Sequence, residues 1–415
     1  MKAVNLAIVG CGARGRTYAT FAKEFPQRAK IVAIAEPQDE IRERTAKTHN
    51  VTKEKVFTDW KSFFAKEKMA DAVIIATQDN DHVGPALAAF EKGYDVLLEK
   101  PMAPTLAECE TIVEAADKAG VIFAVCHVLR YTNFTCKIKE LIDKGAIGEV
   151  VSVQRLEPVG FWHQAHSYVR GNWRREDESS FMLLAKSCHD LDWLRHIVAS
   201  PCKSLSSFGS LKHFRKEEAP EGAGKSCLEC SVEKECAYSA KKIYLDNLKG
   251  LHRGWPVAVL HHEPTYTNIK KALHEGPYGR CVYHCDNDVV DHQVVACEFD
   301  KGQTATFTMT AFTSFRQRNT SIFGTKGEIT GDGEKIELFD FLSRKSQEIK
   351  ADPLPDTSLT AHGGGDYGLM DSFVSAVAQR DQSLILSGST ESLETHAMVF
   401  AAEKARRERR VVTLA

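Results

Sequence analysis

The sequence predicts an α/β protein that opens with a doubly wound parallel sheet and continues into a second α/β unit. Two observations carry the first half of that expectation. Over the first part of the chain, short β-branched runs alternate with stretches of helical period, at Asn5–Val9, Lys30–Ala35, Ala70–Ala76, Asp95–Leu98 and Val121–Cys126. Strand, helix, strand in repetition builds a parallel sheet with crossovers. Each run is apolar almost throughout, as strands covered by helices on both faces require. A third observation, a change of pattern after residue 127, carries the second half: 415 residues are material for two domains at roughly 100–200 residues each.

The elements follow in order. The run Asn5–Val9 leads through a glycine-rich turn into a helix over Arg16–Phe25. Residues 1–126 form the first domain and 127–415 the second. In the second, Gly160–Ser180 reads as aromatic and polar loop, and Ser180–Val198 as helix. Residues 212–286, rich in Gly, Cys and Lys with weak periodicity, read as an insertion, too long for an ordinary loop. From Asp291 to Asp332 strands return as antiparallel sheet, with alternation over Thr304–Phe312 and a turn at Thr325-Lys326-Gly327. Tyr367–Val377 and Leu393–Arg406 have helical spacing, and Val411–Leu414 is a closing strand.

Composition excludes several functions. With 54 Lys+Arg against 56 Asp+Glu, a net charge of −2, there is no basic stripe to meet nucleic acid. The apolar runs are strand-sized, far short of the ~20 residues of a membrane span. The N-terminus runs straight into a strand and glycine turn without a leader pattern, so the protein is expected in the cytoplasm. Twelve cysteines in such a chain are mostly buried small hydrophobes rather than a disulfide scaffold.

Gly10-Cys11-Gly12-Ala13-Arg14-Gly15 stands between a strand and a helix, the context in which this glycine pattern binds a dinucleotide. Gly10 makes the tight turn, Gly12 admits the pyrophosphate, and Gly15 lets helix pack on strand. The amides of Ala13 and Arg14 belong to the helix N-terminus that faces the phosphates. Glu36 ends the second strand, where a carboxylate bonds the adenosine ribose. No Arg stands immediately beside it for a 2′-phosphate, which favours NAD over NADP. Glu99-Lys100-Pro101 closes the fourth strand in the crevice where such sheets bind ligands. Lys100 would reach a substrate hydroxyl and the nicotinamide ribose, with Glu99 holding its ammonium.

These features, with Ala76-Thr77 at the third strand's end and Gly324-Thr325-Lys326-Gly327 in the late sheet, resemble the Gfo/Idh/MocA family of oxidoreductases over nearly the whole chain. The resemblance implies an N-terminal Rossmann domain with Thr77 at the cofactor, and a C-terminal α/β domain with a large, mostly antiparallel open sheet. It also implies NAD or NADP, a sugar or polyol hydroxyl as substrate, a homodimer or homotetramer formed through that sheet, and Lys100 as a catalytic residue. The family commonly places an Asp one helical turn ahead of a His on the substrate-facing helix. Here Ala185 takes the Asp position, His189 is retained, and Lys186 would lie on the same helix face as His189. An imidazole suits removal of the hydroxyl proton; Lys100, Lys186 and His189 all remain candidates for the base.

His127, Arg130 and Tyr131 follow the last strand of the first domain, at the junction that the resemblance places beside the nicotinamide. Trp162, Trp173 and Arg174, among His163, His166, Tyr168 and Asn172, form an aromatic and hydrogen-bonding set suited to carbohydrate. His362-Gly363-Gly364-Gly365-Asp366-Tyr367, with Asp366 as a helix N-cap, resembles a run in carbohydrate-acting branches of the family, including NAD-dependent glycosidases. Cys227-x2-Cys230-x5-Cys236 puts three thiols in a segment with little apolar material of its own. A structural zinc, with Cys281 or Cys285 as fourth ligand and Cys281 favoured, explains that clustering; an iron–sulfur cluster is the alternative. Three functions follow: NAD-dependent oxidation of a sugar, glycoside or cyclic polyol; glycoside cleavage by transient oxidation with no net NADH; or a dinucleotide-sensing regulator, which requires a crevice without acid–base groups.

Overall fold

The computed structural model describes residues 2–414. Six strands, β1 (Val4–Val9), β2 (Ala29–Ala35), β3 (Val56–Phe57), β4 (Ala72–Ile75), β5 (Asp95–Leu98) and β6 (Phe123–Val125), form the first sheet. All pairs are parallel, in the order β3-β2-β1-β4-β5-β6. Alternate residues divide between two apolar layers: Leu6, Ile8, Ile34, Ile74 and Leu97 to one face, Ala7, Val9, Val73, Ile75 and Val96 to the other. Coverage on both faces explains why the runs are continuously apolar, and a side chain such as Leu97, removed from water, contributes about 2 kcal/mol.

The second sheet has nine strands: β7 (Val150–Pro158), β8 (Cys202–Ser210), β9 (His292–Phe299), β10 (Thr304–Thr310), β11 (Asn319–Gly324), β12 (Gly327–Gly331), β13 (Ile336–Asp340), β14 (Lys345–Ile349) and β15 (Val412–Thr413). Their order is β14-β13-β12-β11-β7-β10-β9-β8-β15. The pairing is antiparallel except at β7 and β10, so the sheet is mixed, with one parallel pair. One face carries the main core with the helices Cys188–Val198 and Ser389–Glu408; the other exposes Phe208 and Val294, paired across β8 and β9.

The helix Gly365–Gln379, from far beyond residue 126 in the chain, packs on the first sheet through Leu369, Met370, Phe373 and Val377. Other details depart from expectation. Gly160–Ser180 is not all loop: Phe161–His163 is α-helical and Gln164–Arg170 continues as a π-helix, every residue of which is buried. The helix expected over Ser180–Val198 breaks into Met182–Ala185 and Cys188–Val198. The segment 212–286 has its own apolar core, with Phe214, Ile243, Tyr244, Leu245, Ile269 and Leu273. Short 3₁₀ and π turns carry much of that core, which hides it from a search for regular helical period.

Candidate active site

The turn after β1 is shaped by its glycines. Gly10 has φ +89°, and a Cβ there would lie 2.5 Å from the Ala76 carbonyl oxygen; one on Gly15 would lie 2.1 Å from that of Gly10. Backbone approaches backbone at both positions, and only glycine allows it. At Gly12 a Cβ would meet nothing within 4 Å. Open space therefore fronts the N-terminus of the helix Ala13–Glu24, which no side chain caps. Amide donors around a concavity fit a dinucleotide pyrophosphate.

Glu36 is buried at the end of β2. Its two carboxylate oxygens accept from Cys11 N at 2.7 Å and Gln38 N at 2.9 Å, leaving each with capacity for a ribose hydroxyl. Arg42 shares this corner, but its guanidinium bonds the carbonyls of Glu36 and Pro37 and pairs with Asp39. Thr77 lies beyond β4 with its amide next to Gly10. The Arg14 side chain joins Glu99, at 2.7 Å, to Asp366, at 2.6 Å. It thus ties the glycine turn to the run His362–Asp366.

Glu99 does not hold the Lys100 ammonium as expected. Its oxygens accept from Arg14 Nε, from the Tyr18 hydroxyl at 2.6 Å and from the Lys100 backbone amide at 2.7 Å. Burial pushes its carboxyl up, but Arg14 and Lys100 outweigh that and hold it below the usual range. Lys100 Nζ instead donates to the Ala185 carbonyl at 2.7 Å, so a backbone dipole stands where the carboxylate was expected and missing. That bond brings Lys100 to the start of the helix bearing His189.

His189 is positioned by its neighbours. Asp190 accepts from Arg155 Nε at 2.8 Å and Arg318 Nε at 2.6 Å, and Asp192 from Arg130 Nε at 2.8 Å and Nη2 at 2.7 Å. These anchors fix the helix by alternate residues and leave the His189 ring between His127, at 6.1 Å, and His362, at 6.2 Å between centroids. Burial, and then the Lys100 charge, hold its pKa well below the usual range. The imidazole is thereby kept neutral, with its buried Nδ1 unpartnered. Lys186 does not share a helix face with His189, because the helix breaks between them. Its ammonium lies 3.5 Å from Glu157, and burial lowers its pKa against the pull of that carboxylate.

His362 has φ +52°, and its Nδ1 lies 3.2 Å from Asp366 Oδ2. Asp366 is fully buried and sits in the first turn of its helix, whose N-cap is Gly364. Burial pushes its carboxyl up, but His362 and Arg14 overcome this and bring it down to about 2. The geometry is an imidazole oriented by a carboxylate. His127 is buried with both ring nitrogens unpartnered, its pKa driven to about 3 by burial.

The other expected substrate residues are not gathered here. Arg130 is spent on Asp192 and the Leu386 carbonyl, and the Tyr131 hydroxyl on Ser387 and Leu386; both join elements together. Trp173 Nε1 lies 3.3 Å from Asp79 Oδ2. Arg174 pairs with Glu178 and Asp286 and lines a separate cavity of about 240 Å³ with Gln78, Asp79 and Asn172. Trp162 packs 5.1 Å from both Trp255 and Phe315, next to His163, whose pKa is lowered by burial and then by the Lys186 charge. Trp255 and Phe315 are 48% and 53% exposed. Sequence reasoning missed both, although Gly254-Trp255-Pro256 in a polar segment was a visible signal.

The expected zinc centre is not formed as it stands. Among the described residues no group of three or more His, Cys, Asp or Glu is spaced to hold a metal ion. The sulfurs are engaged locally, Cys227 with Arg170 and the Arg280 carbonyl, Cys230 with the Gly224 amide.

Residues 4–127 match the oxidoreductase family with NAD-binding Rossmann fold, and residues 139–414 its C-terminal alpha/beta domain. The chain belongs to the Gfo/Idh/MocA oxidoreductase family. It is 29% identical over 212 residues to a 2,7-anhydro-N-acetylneuraminate hydratase from Mediterraneibacter gnavus, a match covering 50% of this chain and 53% of the relative. It is 26% identical over 243 residues to a levoglucosan dehydrogenase from Pseudarthrobacter phenanthrenivorans, covering 54% and 62%. These matches span little more than half the length of either relative. Among solved structures, a levoglucosan dehydrogenase in complex with NADH aligns with TM-score 0.72 at 17% identity over 100% of both chains. An Agrobacterium radiobacter oxidoreductase in complex with NAD+, L-tartaric acid and magnesium aligns with TM-score 0.71 at 17% identity, covering 99% and 98%. This Gfo/Idh/MocA chain thus shares their fold from end to end. Among the described residues no helix is long and apolar enough to cross a membrane.

Proposed function

We propose that the protein is an NAD-dependent oxidoreductase acting on a hydroxyl of a sugar, glycoside or cyclic polyol. The observation that carries this reading is the meeting of Lys100, His189 and His362 at the mouth of the crevice, beside a glycine turn with open space for a dinucleotide. A bound nicotinamide would supply the hydride acceptor. His189, neutral and anchored on both sides, takes the hydroxyl proton, and Lys100 donates a hydrogen bond to the oxygen as negative charge develops. Glu36 favours the unphosphorylated ribose of NAD. The aromatic set of half-buried Trp162 with exposed Trp255 and Phe315 suits the apolar face of a pyranose ring.

A second reading has its own support. The His362–Asp366 pair gives a second proton-transfer group facing His189, more than a simple dehydrogenation needs. Two such groups suit transient oxidation to a ketone, removal of the proton acidified on the adjacent carbon, departure of the protonated leaving group from the carbon beyond it, addition of water to the resulting enone, and return of the hydride. A screen of sugars, glycosides and inositols with added NAD separates the two, following nicotinamide reduction and aglycone release in parallel. Stoichiometric NADH supports the dehydrogenase, aglycone release without NADH the redox cycle, and neither product in any reaction, with dinucleotide bound, the sensing regulator. The apolar outer face around Phe208 and Val294 supports self-association through the second sheet.

A further inference from the structure

The segment between β8 and β9 folds back on itself through one short pairing. Cys227 N donates to the Gly279 carbonyl at 2.9 Å, and Cys281 N to the Lys225 carbonyl at 2.9 Å, around an isolated antiparallel bridge of Ser226 and Arg280. That pairing sets Cys227 beside Cys281. The following turns bring in Cys230 and Cys236, and all four cysteines line one cavity of about 10 Å³, room for a single ion or water. Backbone amides face the sulfurs, that of Gly224 toward Cys230 at 3.4 Å and those of Tyr238 and Tyr283 toward Cys236 and Cys281. Cys285 takes no part, its thiol turned to the Cys281 carbonyl at 3.2 Å.

Arg170 provides an independent observation. Its side chain is wholly buried and lines the same cavity. Nε donates to the Arg280 carbonyl at 2.7 Å, and Nη2 to the Tyr238 carbonyl at 2.8 Å and to Cys227 Sγ at 3.4 Å, while Nη1 has no partner. Among the described residues no carboxylate pairs with it. A buried, permanently charged guanidinium without a paired counter-charge is costly; the cavity it lines holds the four thiols together with Glu233, whose carboxylate is engaged by the Ser239 hydroxyl and the Lys241 ammonium.

We propose that Cys227, Cys230, Cys236 and Cys281 bind one zinc ion, and that the resulting tetrathiolate centre is the counter-charge of Arg170. Binding releases four thiol protons to solvent, and four thiolates around a divalent cation carry a net charge of −2, part of which the guanidinium offsets. As neutral thiols the four sulfurs have nothing to draw them to ligand distance; a soft divalent cation supplies that attraction. The ion holds the two ends of the segment together and takes no part in hydride transfer.

Elemental analysis of the full chain, purified without a metal-affinity step, tests this. About one zinc per chain, released in step with titration of the thiols by a mercurial, is the expected result, and Cys230→Ser combined with Cys236→Ser brings the zinc to background. Zinc retained in that double variant overturns the ligand set. If the variant does not fold, wild-type protein stripped by a chelator and given Co²⁺ decides: intense sulfur-to-cobalt charge-transfer absorption supports the site. A wild-type chain that holds no metal and takes up neither zinc nor cobalt overturns the proposal, as does iron accompanied by acid-labile sulfide.

Discussion

Replacing Asp366 by Asn tests the link between the glycine turn and the candidate site. The carboxylate is buried, bound to Arg14 and His362, and titrates at about 2 against an ordinary 3.8. Because its folded pKa is depressed, its stabilisation is complete above the unfolded value and is lost as pH falls toward the folded one. The difference corresponds to about 2 kcal/mol near neutrality, declining to roughly 1 kcal/mol near pH 3. Urea denaturation of wild type and variant at about pH 6 and about pH 3 should show that gap and its narrowing. The Asn amide would also orient His362 less well, so turnover should fall by roughly 10²-fold or more if His362 transfers a proton. Equal stabilities at neutral pH, or a gap unchanged by acid, would refute the electrostatic account of this junction.

Four further outcomes are expected. Lys100→Ala should reduce turnover by at least about 10²-fold while NAD binding, measured by calorimetry, persists; unchanged turnover removes Lys100 from the chemistry. Gly12→Val should leave thermal stability near wild type and weaken dinucleotide binding, because its side chain projects into the space before the helix. Gly15→Ala should instead lower the melting temperature, because its Cβ would fall 2.1 Å from the Gly10 oxygen. Phe208→Glu combined with Val294→Glu, which places charge on a 63% and a 42% exposed side chain, should shift light-scattering mass toward the monomer; an unchanged oligomer would locate the contact elsewhere.

The sequence by itself determined the parallel sheet, because buried strands must be apolar on both faces and a glycine turn has meaning only between strand and helix. With the family resemblance it also marked Lys100, His189, His362 and Asp366 as candidate site residues. Tertiary structure decided which of the marked residues meet. Lys100 is held by the Ala185 carbonyl and not by Glu99, a contact no spacing rule foretells, since a backbone oxygen carries no signature in sequence. Arg130 and Tyr131 proved to be joints, because the carboxylate and hydroxyl that engage them come from Asp192 and Ser387. Lys186 parted from His189 where the helix breaks, and Trp255 came to Trp162 across a segment whose core lies in irregular turns. Local pattern reports which face of an element is buried; it does not report what the other side of the contact will be, because that partner is chosen by packing between residues far apart in the chain.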